Sequence, residues 1–293
     1  MKLIIEPPTW LGDSVMASGA IKALVDNLKP SKTIFFGSFV ATELLKDYCD
    51  EVIVRNKSLK EVINFPKSDI FVSFRRSFYS KLLGIKAKKS YFFNSKAFSS
   101  HMVEKYSSYV NLILNKSEIY KPILPFIPKK FSQKVVGINP GATYGSAKRW
   151  YPEEFAKVAN KLDAKILIFG GKGEEELARE IEKHLKTKNY ENLCGKLTIK
   201  ELCEYIGGLD LFITNDSGPM HIAAAYGVNV VALFGPTNYK ETSPYGTNYK
   251  IVSKHLECSP CMKRVCPLKH HNCMKLIKAE DVLKAIDESG FFR

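Results

Sequence analysis

The sequence predicts an α/β fold of two doubly wound domains, each a parallel sheet with helices on both faces. Three observations carry the prediction. Short runs rich in Val and Ile alternate with helical stretches from Lys2 to Phe234, the pattern of repeated βαβ units. A Pro-rich connection, Pro122 to Pro128 followed by Lys129-Lys130, interrupts the alternation, which restarts at Val135. Finally, 293 residues with 45% hydrophobic content suit two cores better than one. The domains are therefore expected at residues 1–130 and 131–293. The second carries a cysteine-rich segment, 255–275, and a C-terminal helix over Ala279–Ser289.

In the first half, Lys2–Glu6 is a short strand and Pro7 to Leu11 a loop. Gly12-Asp13-Ser14 opens a helix running to about Leu28, with Ala17, Ile21, Leu24 and Leu28 on one face. Asp13 thus stands at a helix start, where it serves either as a plain cap or as a catalytic carboxylate. Strands at Thr33–Phe36, Glu51–Val54 and Asp69–Phe74 follow, separated by helical runs at Thr42–Asp47 and Leu59–Asn64. Beyond Phe74, Arg75, Arg76, Lys81, Lys86, Lys88 and Lys89 crowd a span laced with Phe78, Tyr79, Tyr91, Phe92 and Phe93. A solvated basic face and a docking site for acidic groups at a membrane surface both account for it.

The second half repeats the alternation: strand Val135–Ile138, helix Pro152–Leu162, strand Lys165–Phe169, helix Glu174–Leu185, helix Ile199–Ile206. A βαβ unit follows over Ile213–Thr237, whose helix opens at Asn215-Asp216-Ser217-Gly218-Pro219 and whose second strand is Val228–Phe234. Asp216 or Ser217 can cap that helix, and Pro219 has no N–H to waste in its first turn, so the positive helix end points out of the sheet's carboxyl edge. Such an end attracts phosphate or carboxylate. His221 lies one turn further in, either as an ordinary structural histidine or near a bound anion.

Two more loops reach the same edge. Asn139 to Trp150 leaves its strand with Gly141, Thr143 and Gly145, then Lys148 and Arg149, a layout suited to gripping a pyrophosphate. Gly170-Gly171-Lys172-Gly173-Glu174 leaves the next strand, either as a simple Gly-rich turn or with Glu174 accepting from ribose hydroxyls. No Gly-Lys-Ser/Thr and no Gly-x-Gly-x-x-Gly opens either half, which argues against ATPase and dinucleotide chemistry.

The net charge of +14 and pI near 9.3 call for a polyanionic partner: nucleic acid, an anionic membrane surface or a phosphorylated substrate. No stretch reaches ~18 apolar residues, and Met1 to Glu6 reads as a first strand rather than a signal peptide, so a soluble cytoplasmic protein is expected.

Trp10-Leu11-Gly12-Asp13, Pro140-Gly141-Ala142 through Lys148-Arg149-Trp150, and Asn215 to Ala225 with Gly235-Pro236-Thr237 together resemble the ADP-heptose:lipopolysaccharide heptosyltransferases, closest to the heptosyltransferase II branch. The resemblance spans nearly the whole chain in order. It implies a GT-B glycosyltransferase: two Rossmann-like domains facing across a cleft, acceptor on the first, ADP-sugar on the second, inversion at the anomeric carbon and no metal needed for chemistry. Asp13 matches the family's general base. Lys148 and Thr143 match its diphosphate grip, Glu174 its ribose contact, and Asp216, Ser217, Gly218 and His221 the motif that holds heptose and diphosphate. ADP-heptose is then the donor and inner-core lipopolysaccharide the acceptor, met by the basic residues Arg75, Arg76 and Lys81. The enzyme would work as a monomer at the cytoplasmic face of the inner membrane, peripherally associated, with no nucleic acid partner. The chain is shorter than most members, chiefly in its first half, and Tyr151 intervenes between Trp150 and Pro152, where the family commonly has Trp-Pro directly.

Cys258, Cys261, Cys266 and Cys273 fall within sixteen residues, beside His255, His270 and His271. The spacing suits a tetrahedral knuckle, structural zinc ahead of an iron–sulfur cluster, with two disulfides as the alternative. Cys49, Cys194 and Cys203 read as buried apolar fillers. Two other function classes stay open: a different nucleotide-sugar transferase or an epimerase of the same architecture, and a basic nucleic-acid-binding protein.

Overall fold

A computed structural model describes residues 1–292 of the chain. It divides into two compact units, Met1–Pro125 and the remainder from Phe126. The first contains β1 (Lys2–Glu6), α1 (Leu11–Leu28), β2 (Lys32–Gly37), α2 (Phe39–Leu45), β3 (Glu51–Val54), α3 (Leu59–Asn64), β4 (Ser68–Ser73), α4 (Phe78–Gly84), β5 (Ala87–Phe92) and α5 (Met102–Leu114). All five strands are parallel, in the order β3-β2-β1-β4-β5. β1 is central and covered on both faces, which is why Leu3, Ile4 and Ile5 are an unbroken apolar run with no exposure. Phe65 stands edge-on to both Phe36 and Phe71, filling the space beneath α3 and α4.

α1 is buried along most of its length and packs on α5. Gly19 is the reason the chain can close over it. A Cβ there would stand 2.0 Å from the Lys121 carbonyl oxygen. The helix opens at Leu11, with Trp10 in the cap position making no side-chain cap. Asp13 therefore lies inside the first turn and is not the cap.

The basic, aromatic run after Phe74 folds into α4, capped by Ser77, and the edge strand β5. Lys88 and Lys89 sit on that strand, Lys88 paired with Asp69 and Lys89 over the Tyr91 ring. Lysines on an exposed strand keep its free edge from pairing with another chain.

The second unit contains β6 (Val135–Asn139), α6 (Pro152–Ala159), β7 (Lys165–Ile168), α7 (Glu175–His184), β8 (Tyr190–Asn192), α8 (Ile199–Gly207), β9 (Leu211–Asn215), α9 (Gly218–Ala225), β10 (Asn229–Leu233), α10 (Tyr239–Thr242), β11 (Tyr249–Val252), α11 (Asn272–Lys275) and α12 (Ala279–Ser289). Its six parallel strands run β11-β10-β9-β6-β7-β8, so the order reverses between β6 and β9. Ligands of doubly wound sheets bind outside the carboxyl ends of the strands at such a reversal. Among the described residues, no helix is long and apolar enough to cross a membrane.

Candidate active site

In the second unit the reversal is built by two asparagines, one at the end of each flanking strand. Asn215, fully buried at the end of β9, donates to the Pro140 carbonyl (2.7 Å) and accepts from the Trp150 N–H (3.1 Å). One side chain thus holds both ends of the loop that carries Lys148. Trp150 anchors the far end, its ring buried edge-on to Phe155 and its indole N–H donating to Ile277 at 3.0 Å. Asn139, at the end of β6, donates to the Gly141 carbonyl (3.2 Å) and to Ser217 Oγ (3.1 Å).

On this frame Lys148 Nζ meets Asp216 Oδ2 at 2.5 Å, and Thr237 Oγ1 donates to the same oxygen at 2.6 Å. The side chains of Lys148 and Asp216 are only 12% and 5% exposed. Charges this desolvated persist because each neutralises the other, so Asp216 fixes where the ammonium stands. Lys148 also lies 4.7 Å above the centre of the Tyr144 ring, which favours the same position.

Neither Asp216 nor Ser217 caps α9, contrary to the expectation from sequence. Asp216 is committed to Lys148 and Thr237, and Ser217 Oγ to Asn139 and Thr214. α9 consequently begins at Gly218 with no side-chain cap. Ser217 thus leaves the first-turn amides and positive dipole end uncapped, which is the arrangement that binds phosphate. His221 is buried within this helix.

Glu174 occupies the cap position of α7 without capping it, and its Oε2 accepts from the Gly171 N–H at 2.9 Å. Gly141 makes room for this carboxylate, since a Cβ there would stand 2.0 Å from Glu174 Oε2. Glu174 is therefore brought against the start of the lysine loop, while Thr143 is exposed on the loop itself.

The first unit has a corresponding reversal between β1 and β4, occupied by ionic side chains. Glu6, at the end of β1, has no solvent exposure. It accepts from Ser73 Oγ (2.6 Å) and pairs with Arg55 (3.2 Å) and Arg75 (3.8 Å). Thr9 Oγ1 accepts from both guanidiniums. Two cations share one carboxylate, so the cluster carries a net positive charge at the sheet edge. Burial first, and then Arg55, pull the Arg75 pKa down, against Glu6. Asp13 lies in the first turn of α1, where Tyr106 donates to its Oδ1 at 3.1 Å. Burial, then the Asp13 charge, raises the Tyr106 hydroxyl well above its usual range, so it remains a donor. Arg76 and Lys81 stand apart from the cluster, exposed.

Sequence reasoning missed Glu6, Thr9, Arg55, Tyr106, Asn139 and Asn215. Asn215 was within reach, because it begins the quoted motif. Cys194 and Cys203 are buried as expected, but Cys49 is only half-buried, beside a short 3-10 turn at the surface.

A family model described as Glycosyltransferase family 9 (heptosyltransferase) matches residues 63–272. Lipooligosaccharide heptosyltransferase 2 of Campylobacter jejuni is 44% identical over an alignment of 308 residues, covering 97% of this chain and 97% of its own length. A family 9 glycosyltransferase structure from Veillonella parvula superposes with a TM-score of 0.83 at 21% identity, over 98% of this chain and 96% of that one. The structure of Escherichia coli ADP-heptose LPS heptosyltransferase II does so at 0.78 and 21% identity, over 99% of this chain and 98% of that one. At such identities the two structures speak for the fold, the expected pair of Rossmann-like sheets of the GT-B class.

Proposed function

This chain belongs to glycosyltransferase family 9, the heptosyltransferase family, and from that premise we propose that it moves heptose from ADP-heptose to an inner-core lipopolysaccharide acceptor, inverting the anomeric carbon. The reading is supported above all by the meeting of Lys148, Asp216 and Thr237 at the strand-order reversal, beside the open end of α9. As the sugar departs, negative charge grows on the β-phosphate of ADP. A lysine and a helix end held in place before reaction stabilise that charge more than they stabilise the bound donor. Lys148 has three protons to give, so it can keep Asp216 while donating to phosphate. In this reading no metal ion is assigned a part in the transfer. Thr143 and the α9 amides join Lys148 on the diphosphate, Glu174 takes the ribose, and Ser217, Gly218 and His221 flank the heptose.

Asp13 acts as general base. The acceptor hydroxyl gives its proton to the carboxylate while its oxygen bonds to the anomeric carbon. The bond from that carbon to the β-phosphate oxygen breaks, and ADP leaves with the electron pair. Tyr106 holds the carboxylate in position. The net positive cluster of Arg55 and Arg75, extended by exposed Arg76 and Lys81, suits the phosphates and acidic sugars of the acceptor. On this reading the enzyme works as a peripherally bound monomer at the cytoplasmic face of the inner membrane, where such an acceptor would be met.

The test is transfer measured beside donor binding. Asp13→Ala keeps affinity for ADP-heptose and loses ~10²–10⁴-fold in turnover, the usual contribution of a positioned base. Lys148→Ala lowers both. ADP raises the melting temperature where UDP and GDP do not. Normal turnover by the Asp13 variant would remove that residue from the mechanism.

A further inference from the structure

The transfer reaction gives the cysteine-rich segment nothing to do, yet the fold gathers its thiols. Cys258, Cys261, Cys266 and Cys273, all unbridged, line one small cavity together with His270, Ala147 and Pro236. Its volume of about 20 Å³ is room for one ion or one water.

Two features show that something other than apolar packing is needed to shape this segment. Residues 253–271 form neither helix nor strand, and Met262 and Val265 are exposed while the four cysteines line the cavity. The backbone also takes left-handed conformations at His255, Met262, Lys269 and His271, none of them glycine. Such residues are costly unless the surroundings impose them, and they collect at ligand clamps.

We propose that the four thiols bind a single thiophilic divalent ion, zinc or ferrous iron in the same tetrathiolate, and that this ion braces the loop carrying Lys148. Among the described residues, no three His, Cys, Asp or Glu side chains already form a ligand set, so binding draws the thiols inward from the cavity walls. Four protons leave as four thiolates form, and Lys263, Arg264 and Lys269 stand in the same segment to offset the resulting negative charge.

The bracing follows from where the segment is tied. The Ala147 N–H donates to the Arg264 carbonyl (3.0 Å), and His271 Nε2 pairs with the Ala147 carbonyl (2.8 Å). Tyr144 donates to the Met262 carbonyl (2.8 Å), and the Met262 N–H to the Pro236 carbonyl (2.8 Å). Gly145 lets the two stretches touch, since a Cβ there would stand 2.2 Å from the Arg264 carbonyl oxygen. The neighbours of Ala147 and Pro236 are Lys148 and Thr237, the two donors to Asp216. The metal site stands apart from the proposed transfer, and only its effect on ADP binding leans on that reading.

Elemental analysis of the full chain, purified under reductant without a metal-affinity column, is expected to give one zinc or iron atom per chain and to say which. A mercurial reagent releases it as the thiols are titrated. Cys261→Ser and Cys266→Ser lose the metal, and Cys49→Ser, outside the cavity, keeps it. Stripping the wild type weakens ADP binding about tenfold, the loss of one hydrogen bond to a charged group. No metal after loading with zinc or ferrous salt, or four of the seven cysteines oxidised on denaturation, overturns the site. Metal present with ADP affinity unchanged on stripping overturns the bracing. Metal present with no ADP binding at all leaves the site standing and sinks the donor assignment.

Discussion

Glu6 shows how much a single side chain contributes at the edge of the first sheet. It has no contact with solvent, and it is the carboxylate shared by two guanidiniums, Arg55 with 7% of its side chain exposed and Arg75 with 25%. Removing one partner from a buried ionic group leaves the others uncompensated, at a cost of about 3–5 kcal/mol. Glu6→Gln is therefore expected to lower the melting temperature of the first unit by about 10 °C. Charge removal at Glu176, exposed on α7 and paired with Arg179, should leave calorimetry unchanged, because solvent already screens that pair. Equal effects from the two substitutions would show that the Glu6 cluster is not holding the sheet edge. Asn215 does a similar job in the second unit by hydrogen bonding alone, closing the lysine loop from both ends.

Elements with a fully buried strand or a strongly patterned helix were legible from residue order. β1, β2, β6, β7, β9 and β10 are apolar runs of Val, Ile, Leu or Phe because both faces are covered. Of the four edge strands β3 was read, from its Val-Ile-Val run, while β5, β8 and β11 went unread; Ala-Lys-Lys-Ser-Tyr-Phe in β5 mixes one packed face with lysines that guard the open side. α5 was missed too, and with it Tyr106, whose partner Asp13 lies 93 residues away. The site divides in the same way. Lys148, Asp216 and Ser217 stand in local motifs and could be read, whereas Glu6, Thr9 and Arg55 matter through pairings that no local pattern records.

α12 offers a test at this scale. Asp281 in its first turn accepts from Lys254 Nζ (3.0 Å) and from the Lys278 N–H (2.8 Å). Burial pushes its carboxyl up, but those two hydrogen bonds outweigh it and hold the group below the usual 3.8. A carboxyl lowered in the folded state contributes stability that is present above its unfolded value and lost as pH falls through the folded one. Asp281→Asn should thus melt a few degrees lower at neutral pH, with a constant deficit down to about pH 5. The deficit should shrink as pH falls past 3.8 and close only beneath the lowered folded value, where the folded wild type is protonated as well. A gap that persisted there would mean the helix start depends on shape and not on charge.

At the scale of the whole molecule, the two units repeat one device. Each is a parallel sheet whose strand order reverses once, β1 against β4 and β6 against β9, and in each the residues with chemistry to offer stand at the carboxyl ends flanking the reversal. What differs is the charge. The first unit presents an excess of guanidinium beside a carboxylate held by tyrosine. The second presents a neutralised lysine beside an open helix end. That division predicts which amides each substrate protects. In hydrogen exchange on the intact chain, ADP should slow residues 139–150, 171–174, 215–218 and 235–237, because loops that open locally exchange slowest when a ligand binds their closed form. Residues 6–13, 55 and 73–76 should keep their rates with ADP and slow when an anionic core oligosaccharide is added instead. Protection by ADP confined to the first unit would exchange the roles of the two sheets, and with them the assignment of Lys148 to the leaving group.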